Sequence, residues 1–428
     1  MNKITHFFSP LNKKSLSWAF YDWANSAFAT TVMAAFFPVF FKQYWSEGIE
    51  VTKSTFVFGT ANSIMGLFVA LLAPILGAVA DQSSLRMKFL ISFTFLGGLA
   101  TGGLYFVGQG QWLYAITLYA LAAIGFAGSL TFYDSLLLLV CKPKDMDFVS
   151  SFGFALGYLG GALLFTVNVL MYTHTEWFGI ENQALAIKLS FLSVAVWWLI
   201  FTLPIVIFVK EPPAKNNIKE VDFKKIIQSS FKEVFNTFTE IKRYQHIFFF
   251  LLAYFFYIDG VNTTIKMAVD YGMSIGFEPS LLIKAILLVN FFAFPATLIY
   301  LALTKKLGTL YGILIAIGAY CCIVLFAYFM QTPQHFILLS LGVGSVQGGI
   351  QALSRSYYGQ LIPPDRSAEF FGFYNMLSKF SSILGPFLMG TVGLLTKDPR
   401  LSILSVLILF IIGGSILVRK CELKPKRD

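Results

Sequence analysis

The sequence predicts an all-α integral membrane protein whose twelve transmembrane helices form two pseudo-symmetric bundles of six, and three observations predict it. Of the 428 residues 57% are hydrophobic and only 13% charged, with 47 phenylalanines, which lies outside the composition of a soluble domain. Apolar runs of the roughly 20 residues needed to cross a bilayer recur from end to end. Short motifs of the first half return, in the same order, in the second half.

The first run, Trp18–Phe41, follows MNKITHFFSPLNKKSLSW, which lacks the short apolar core and small-residue cleavage site of a secretory signal, so this span is expected to be retained. Thr55–Ala80, Phe89–Val107, Trp112–Val140, Val149–Met171 and Ala184–Val209 complete the first six. The second six are Ile247–Met273, Leu281–Leu303, Leu307–Met330, Phe336–Leu361, Phe370–Leu395 and Leu401–Val418. An even number of spans puts both termini on one side, and most of the Lys and Arg lie in the segments on that side. That side is therefore read as cytoplasmic, and the net charge of +10 as a topological feature with no nucleic-acid partner. The N-x-Ser/Thr acceptor Asn262-Thr-Thr264 sits inside a span and no compartment-sorting tail is evident, which favours a bacterial inner membrane over a vacuole. The protein is expected to be a monomer in the lipid bilayer.

Cys141, Cys321, Cys322 and Cys421 show no paired spacing in an outside loop, and His6, His174, His246 and His335 are scattered. Neither a disulfide framework, a metal site nor a cofactor is expected.

The longest polar interval, 210–246, divides a first bundle, 1–209, from a second bundle with a short basic tail, 247–428. Within the interval Phe223, Ile226, Ile227, Phe231, Val234, Phe238 and Ile241 recur at helical spacing opposite Lys224, Lys225, Gln228, Lys232 and Glu233. This pattern predicts an amphipathic helix on the membrane surface.

Three echoes carry the internal duplication. Asp22-Trp-Ala-Asn25 in span 1 matches Asp259-Gly-Val-Asn262 in span 7. SSFGF at the start of span 5 matches EFFGF at the start of span 11, with Gly153 and Gly372 in register. FYDSLLLLV near the inner end of span 4 matches SRSYYGQLI near that of span 10. Transporters are commonly built from such repeats.

The loop GAVADQSSLRMK between spans 2 and 3 resembles the signature of the major facilitator superfamily, with Gly77, Asp81, Arg86 and Lys88 in the signature's places and Ser83, Ser84 and Leu85 replacing its basic-glycine core. YDWANSAF at Tyr21–Phe28, GFALGYLGG at Gly153–Gly161 and the run from Gly348 to Pro386 are similar to segments of a family within that superfamily, the vacuole-effluxer-like transporters named for a fungal member linked to autophagy. The resemblance covers essentially the whole chain. It implies the major facilitator fold and fungal relatives that export amino acids from a degradative compartment.

Ionisable groups inside a bilayer cost about 2.5 kcal/mol or more and usually face protein or water, so those in spans are the candidate site residues. Asp22 and Asn25 stand one turn apart in span 1. Asp259 lies near mid-membrane in span 7, with Asn262, Thr263 and Lys266 continuing its stripe at i+3, i+4 and i+7. Span 10 offers Gln347, Gln351 and Arg355 at i, i+4 and i+8, and span 11 offers Asn375 and Lys379. These are read as the solute or proton pathway, with an internal Asp259–Lys266 pair as the structural alternative and snorkelling as the alternative for Arg355. Asp134 and Arg355 hold equivalent places in spans 4 and 10 with opposite charges, which predicts a gate between the halves. Gly77, Asp81 and Arg86 are expected to latch one conformation through a neighbouring helix terminus.

The function read from these features is secondary active transport of a small polar solute, an amino acid first and an organic acid or sugar otherwise, coupled to protons through buried carboxylates. No Gly-x4-Gly-Lys-Ser/Thr loop occurs, so direct ATP hydrolysis is not expected. Two other classes compete: a membrane enzyme, which would gather His with acids at one interface, and a sensor or chaperone on a transporter fold.

Overall fold

The structure, a computed structural model, describes residues 8–49, 51–212, 245–381 and 384–421. The amphipathic helix expected at 223–241 and the basic tail past Cys421 lie outside them. Among the described residues there is no strand. Twelve helices among the described residues are long and apolar enough to cross a membrane: spans 1 to 6 are Lys13–Trp45, Val57–Ser83, Arg86–Phe106, Trp112–Val140, Pro143–Thr173 and Gln183–Phe208. Spans 7 to 12 are Gln245–Ala268, Lys284–Leu307, Thr309–Phe329, Pro333–Leu361, Pro364–Thr396 and Pro399–Lys420.

Local chemistry sets the ends. Span 1 begins at Lys13, earlier than its hydropathy implies, because the Asn12 side chain accepts the Lys14 and Ser15 amides at 2.8 and 3.0 Å while the Ser15 hydroxyl accepts the Asn12 amide at 2.9 Å. The side chains of Asn182, Thr332 and Asp398 each accept one amide at the start of spans 6, 10 and 12, the last two followed by a proline that needs no hydrogen-bond partner. Spans 8 and 9 are separated by Gly308 alone, whose φ of +95° closes a corner that a side chain would resist.

Among the described residues three spans are irregular: span 12 is split into Pro399–Leu404 and Leu407–Lys420, and the other two carry candidate site residues. Span 1 leaves α geometry after Ala27 and runs as a π-helix over Phe28–Phe36 and again over Phe41–Trp45. Such wide turns cluster at functional sites because they free backbone groups from the helical ladder. Span 11 consists of two helices, Ser367–Phe380 and Leu384–Thr396.

The chain forms two compact units: Met1–Cys141 with Leu156–Ser230 and Asp365–Gly372, and Lys142–Ala155 with Phe231–Pro364 and Phe373–Asp428. The start of span 5 thus belongs with the second unit and the start of span 11 with the first. In the first unit span 3 packs on spans 4 and 6, span 1 on span 6, and span 2 on span 4. In the second, span 9 packs on spans 10 and 12, span 7 on span 12, and span 8 on span 10. These are the same four pairings shifted by six spans, as a duplicated sequence dictates.

Candidate functional site

In the first unit the Asp22 carboxylate is buried and accepts a hydrogen bond of 2.8 Å from the Tyr133 hydroxyl of span 4. Tyr133 is held between Trp18, stacked on it at 4.3 Å, and Tyr21 at 5.0 Å, so the phenol that meets Asp22 has little freedom. Asn25 is 2% exposed and its Nδ2 has no hydrogen-bond partner among the described residues. A buried amide nitrogen left without an acceptor costs about 1–3 kcal/mol, so its retention calls for a reason. The backbone of span 5 approaches this segment closely. A Cβ on Gly157 would lie 2.6 Å from the Ser26 hydroxyl, and one on Gly160 would lie 2.7 Å from the Trp23 carbonyl. Glycine there permits contact that any side chain would block.

In the second unit Asp259 is fully buried. Both of its oxygens accept the Gly385 amide, at 2.9 and 3.1 Å, and Oδ1 also accepts the Thr263 hydroxyl at 3.1 Å. Gly385 is the second residue of Leu384–Thr396, so span 7 supplies the anion at the positive N-terminus of the second helix of span 11. Lys379, in the last turn of Ser367–Phe380, supplies a cation at the negative end of the first helix. The interrupted span is thus matched in charge on both sides. Lys266 interacts electrostatically with Asp259 and with Lys379. Asn262 and Asn375 are half-buried on the same spans, and Gln347 and Gln351 are half-buried on span 10, which packs on span 7.

The five remaining candidates, Gly77, Asp81, Arg86, Asp134 and Arg355, lie toward the ends of spans 2, 3, 4 and 10. Asp81, at the end of span 2, accepts the Ala368 amide at 3.1 Å and the Glu369 amide at 2.8 Å, which are the unpaired donors at the start of span 11. Gly77, one turn earlier, touches the Ala368 carbonyl, and a Cβ there would overlap it. Arg86 pairs with Asp81 at 2.7 Å and reaches Glu211 at 3.7 Å and the Asp365 carbonyl at 3.4 Å. Glu211, just past span 6, also accepts the Met87 amide at 3.2 Å, and its burial pushes the carboxyl pKa up against the pull of both partners. Ser84 sits at φ +51°, the left-handed conformation that glycine takes without cost, which explains why the resembled signature carries glycine in this stretch.

Arg355 is 3% exposed. Its guanidinium donates to the Ser150 hydroxyl at 2.9 Å and the Ser150 carbonyl at 3.0 Å, and it lies over the Phe154 ring at 4.2 Å, all at the start of span 5 within the second unit. Asp147, one turn earlier, accepts the hydroxyls of Thr309 at 2.6 Å and Ser356 at 2.5 Å and the Gln360 amide at 3.3 Å. Asp134 is buried in span 4 of the first unit. Sequence reasoning missed Asp147, Ser150, Tyr133 and Glu211. Only Asp147 left a signal, an acid in the first turn of a span, where carboxylates usually serve their own helix.

Residues 44–147 and 142–423 match the family described as vacuole effluxer Atg22 like. An uncharacterised MFS-type transporter of Bacillus subtilis, YxiO, is 38% identical over 408 residues, which span 95% of this chain and 94% of YxiO. Autophagy-related protein 22-1 of Neosartorya fischeri is 26% identical over 57% of this chain and 43% of its own length. The fold is similar to that of the proton:xylose symporter XylE of the major facilitator superfamily, with a TM-score of 0.67 over 98% of this chain and 96% of that one at 11% identity. Twelve spans among the described residues, ten of them paired alike in two units, agree with the family match over most of the sequence, and the chain belongs to the Atg22-like family of major facilitator transporters.

Proposed function

We propose that the protein is a proton-coupled secondary transporter of a small polar solute, an amino acid first, working by alternating access of two bundles, 1–209 and 247–428. The observation that carries this reading is Asp259, a fully buried carboxylate placed at the interruption of span 11. A carboxylate in this place holds the second helix of the span more strongly when charged than when protonated, so a proton gained or lost there changes the stability of the interruption. Discontinuous helices whose ends meet charged groups are the recurring way in which transporters bind solutes and ions near mid-membrane. Asp22, Asn25, Asn262, Lys266, Gln347, Gln351, Asn375 and Lys379 are assigned to the solute and proton pathway.

Asp81, Arg86 and Gly77 are assigned to a latch on the start of span 11. The bonds of Arg355 to Ser150 favour a role at the start of span 5, as a gate residue, ahead of a role in solute binding. Asp134 is its proposed alternate partner when the gate rearranges. The protein is placed as a monomer in a bacterial inner membrane with both termini in the cytoplasm. Its relatives are transporters and not enzymes. Counterflow in reconstituted vesicles against a panel of amino acids, organic acids and sugars tests the reading. Accumulation of a panel solute that collapses with the proton gradient supports it, and binding without flux of any solute overturns it in favour of a sensor.

A further inference from the structure

Span 5 begins among lysines. Lys142 and Lys144 stand at its start, and Lys305 and Lys306 stand in the last turn of span 8; all four are exposed and all belong to the second unit. Two contacts bring these segments together. The Thr309 hydroxyl donates to Asp147 at 2.6 Å across 162 residues of sequence, and the Lys305 ammonium lies 4.9 Å from the centre of the Phe148 ring. The sharp corner at Gly308 keeps the end of span 8 beside Thr309, and so beside the start of span 5.

The charges in this corner do not cancel. The same short segments hold two acids, Asp145 and Asp147, and Asp147 is bonded to the hydroxyls of Thr309 and Ser356 and to the Gln360 amide. Lys142, Lys144 and Lys306 form no ion pair among the described residues. At the corresponding corner of the first unit the cations are used internally, Arg86 by Asp81 and Glu211, and Arg366 by Glu369. Next to the lysines the surface turns apolar: Leu303 and Leu307, one turn apart on span 8, and Tyr311 at the start of span 9 are 46%, 45% and 44% exposed. On a spanning helix such side chains face acyl chains, so the ammonium groups stand where headgroups begin.

We propose that this corner is a binding site for an anionic phospholipid of the adjoining leaflet, with the phosphate among Lys142, Lys144 and Lys306 and the acyl chains along Leu303, Leu307 and Tyr311. The phosphate supplies the negative charge that the corner lacks, and ammonium groups take it as point charges without a fixed geometry. A choline headgroup brings a cation of its own and leaves the excess in place. Because the lipid touches the loop before span 5 and the end of span 8 together, it reinforces the clasp that Asp147 makes with Thr309. The inference goes beyond the transported solute and holds whatever that solute is.

The test uses full-length protein in detergent and reads the melting temperature and, by native mass spectrometry, the lipid retained. Dioleoylphosphatidylglycerol is expected to raise the melting temperature saturably and to stay bound, whereas dioleoylphosphatidylcholine, and glycerophosphate without acyl chains, should do neither. The combined Lys142→Gln, Lys144→Gln and Lys306→Gln variant should weaken the half-saturating concentration of phosphatidylglycerol by about tenfold or more, and the three Arg replacements, which keep the charge, should preserve it. A second triple variant, Lys13→Gln with Lys14→Gln and Lys420→Gln, removes as many exposed charges elsewhere and should leave it unchanged. Equal stabilisation by phosphatidylcholine, an effect of glycerophosphate alone, the same loss in the second triple variant, or undiminished affinity in the first overturns the proposal.

Discussion

The duplicated Asp-x-x-Asn motif meets two different surroundings. Asp22 is held by a phenol from span 4 and lies in the span that widens into a π-helix, whereas Asp259 is held by a backbone amide from span 11 and lies beside a span that divides in two. The phenol is pinned by Trp18 and Tyr21, so parting there falls to rotation of the Asp22 side chain. The Gly385 amide is fixed in its helix, so parting from Asp259 requires the helix to shift or the carboxylate to change its charge. One ancestral position has thus become a hinge-neutral contact in the first unit and a contact tied to backbone geometry in the second. The difference is the ground for proposing conformational coupling at Asp259 and not at Asp22.

The largest expected effect follows from removing that charge while keeping the bond. Asparagine caps a helix about as well as aspartate, so Asp259→Asn keeps an acceptor for the Gly385 amide and loses only the proton site. Gradient-driven accumulation should fall to the level of empty vesicles, while exchange of solute across the membrane should persist. Asp259→Ala should lose exchange too, because the amide is left without its acceptor, at about 1–3 kcal/mol. Accumulation at the wild-type level in Asp259→Asn would make the residue structural and would end the contrast with Asp22.

The next effect carries the comparison to the ends of the spans. Asp81 and Asp147 both hold the start of a span grouped with the opposite sequence half, but Asp81 does so through amides and Arg86, whereas Asp147 does so through hydroxyls with Arg355 on Ser150 alongside. Asp134→Arg or Arg355→Asp alone should abolish closure of the terminal side, read by the accessibility of engineered cysteines there. The double exchange should recover it. Failure of the double variant to recover any closure, in protein that still folds, would assign each residue to its own unit.

Much of the fold was legible because a spanning helix is written in composition. About 20 apolar residues leave the backbone no alternative in lipid, and the twelve runs are all present as helices. The irregularities of spans 1 and 11 were not legible. Nothing in FATTVMAAF distinguishes a π-helix from an α-helix, since both bury the same side chains, and the interruption of span 11 depends on an acceptor that arrives from span 7. Charged residues inside spans could be singled out from the cost of burying them, but their partners could not, because a backbone amide such as that of Gly385 or Ala368 leaves no mark in a sequence. Glu211 and Ser150 were missed for the same reason: each takes its role from a residue far away in the chain.

Paired glycine substitutions give a smaller and more local contrast. At Gly385 a Cβ meets the Thr263 hydroxyl, which cannot turn aside without leaving Asp259, and it approaches Asp259 Oδ1 to 2.9 Å. At Gly157 the nearest atom is the Ser26 hydroxyl at 2.6 Å, the end of a short side chain able to rotate, with the Asp22 carbonyl behind it at 3.3 Å. Gly385→Ala should therefore destabilise the protein more than Gly157→Ala, for which overpacking predicts about 1–3 kcal/mol in thermal unfolding. Equal losses would show that the two contacts are alike in rigidity.

The smallest effect tests the first-unit contact itself. Tyr133→Phe deletes the hydroxyl that donates to Asp22 but leaves the ring stacked on Trp18, so the change isolates one hydrogen bond to a carboxylate. Such a bond contributes roughly 1.5–3 kcal/mol when the acceptor is charged and about 1 kcal/mol when it is neutral. A double-mutant cycle with Asp22→Asn reads the difference directly, since it reports only the energy shared by the two groups. Strong coupling of about 1.5 kcal/mol or more, with transport nearly intact in Tyr133→Phe, is expected if Asp22 stays charged and its contact is passive. If Tyr133→Phe instead abolishes accumulation as completely as Asp259→Asn, the first unit holds a coupled carboxylate of its own and the two motifs act alike.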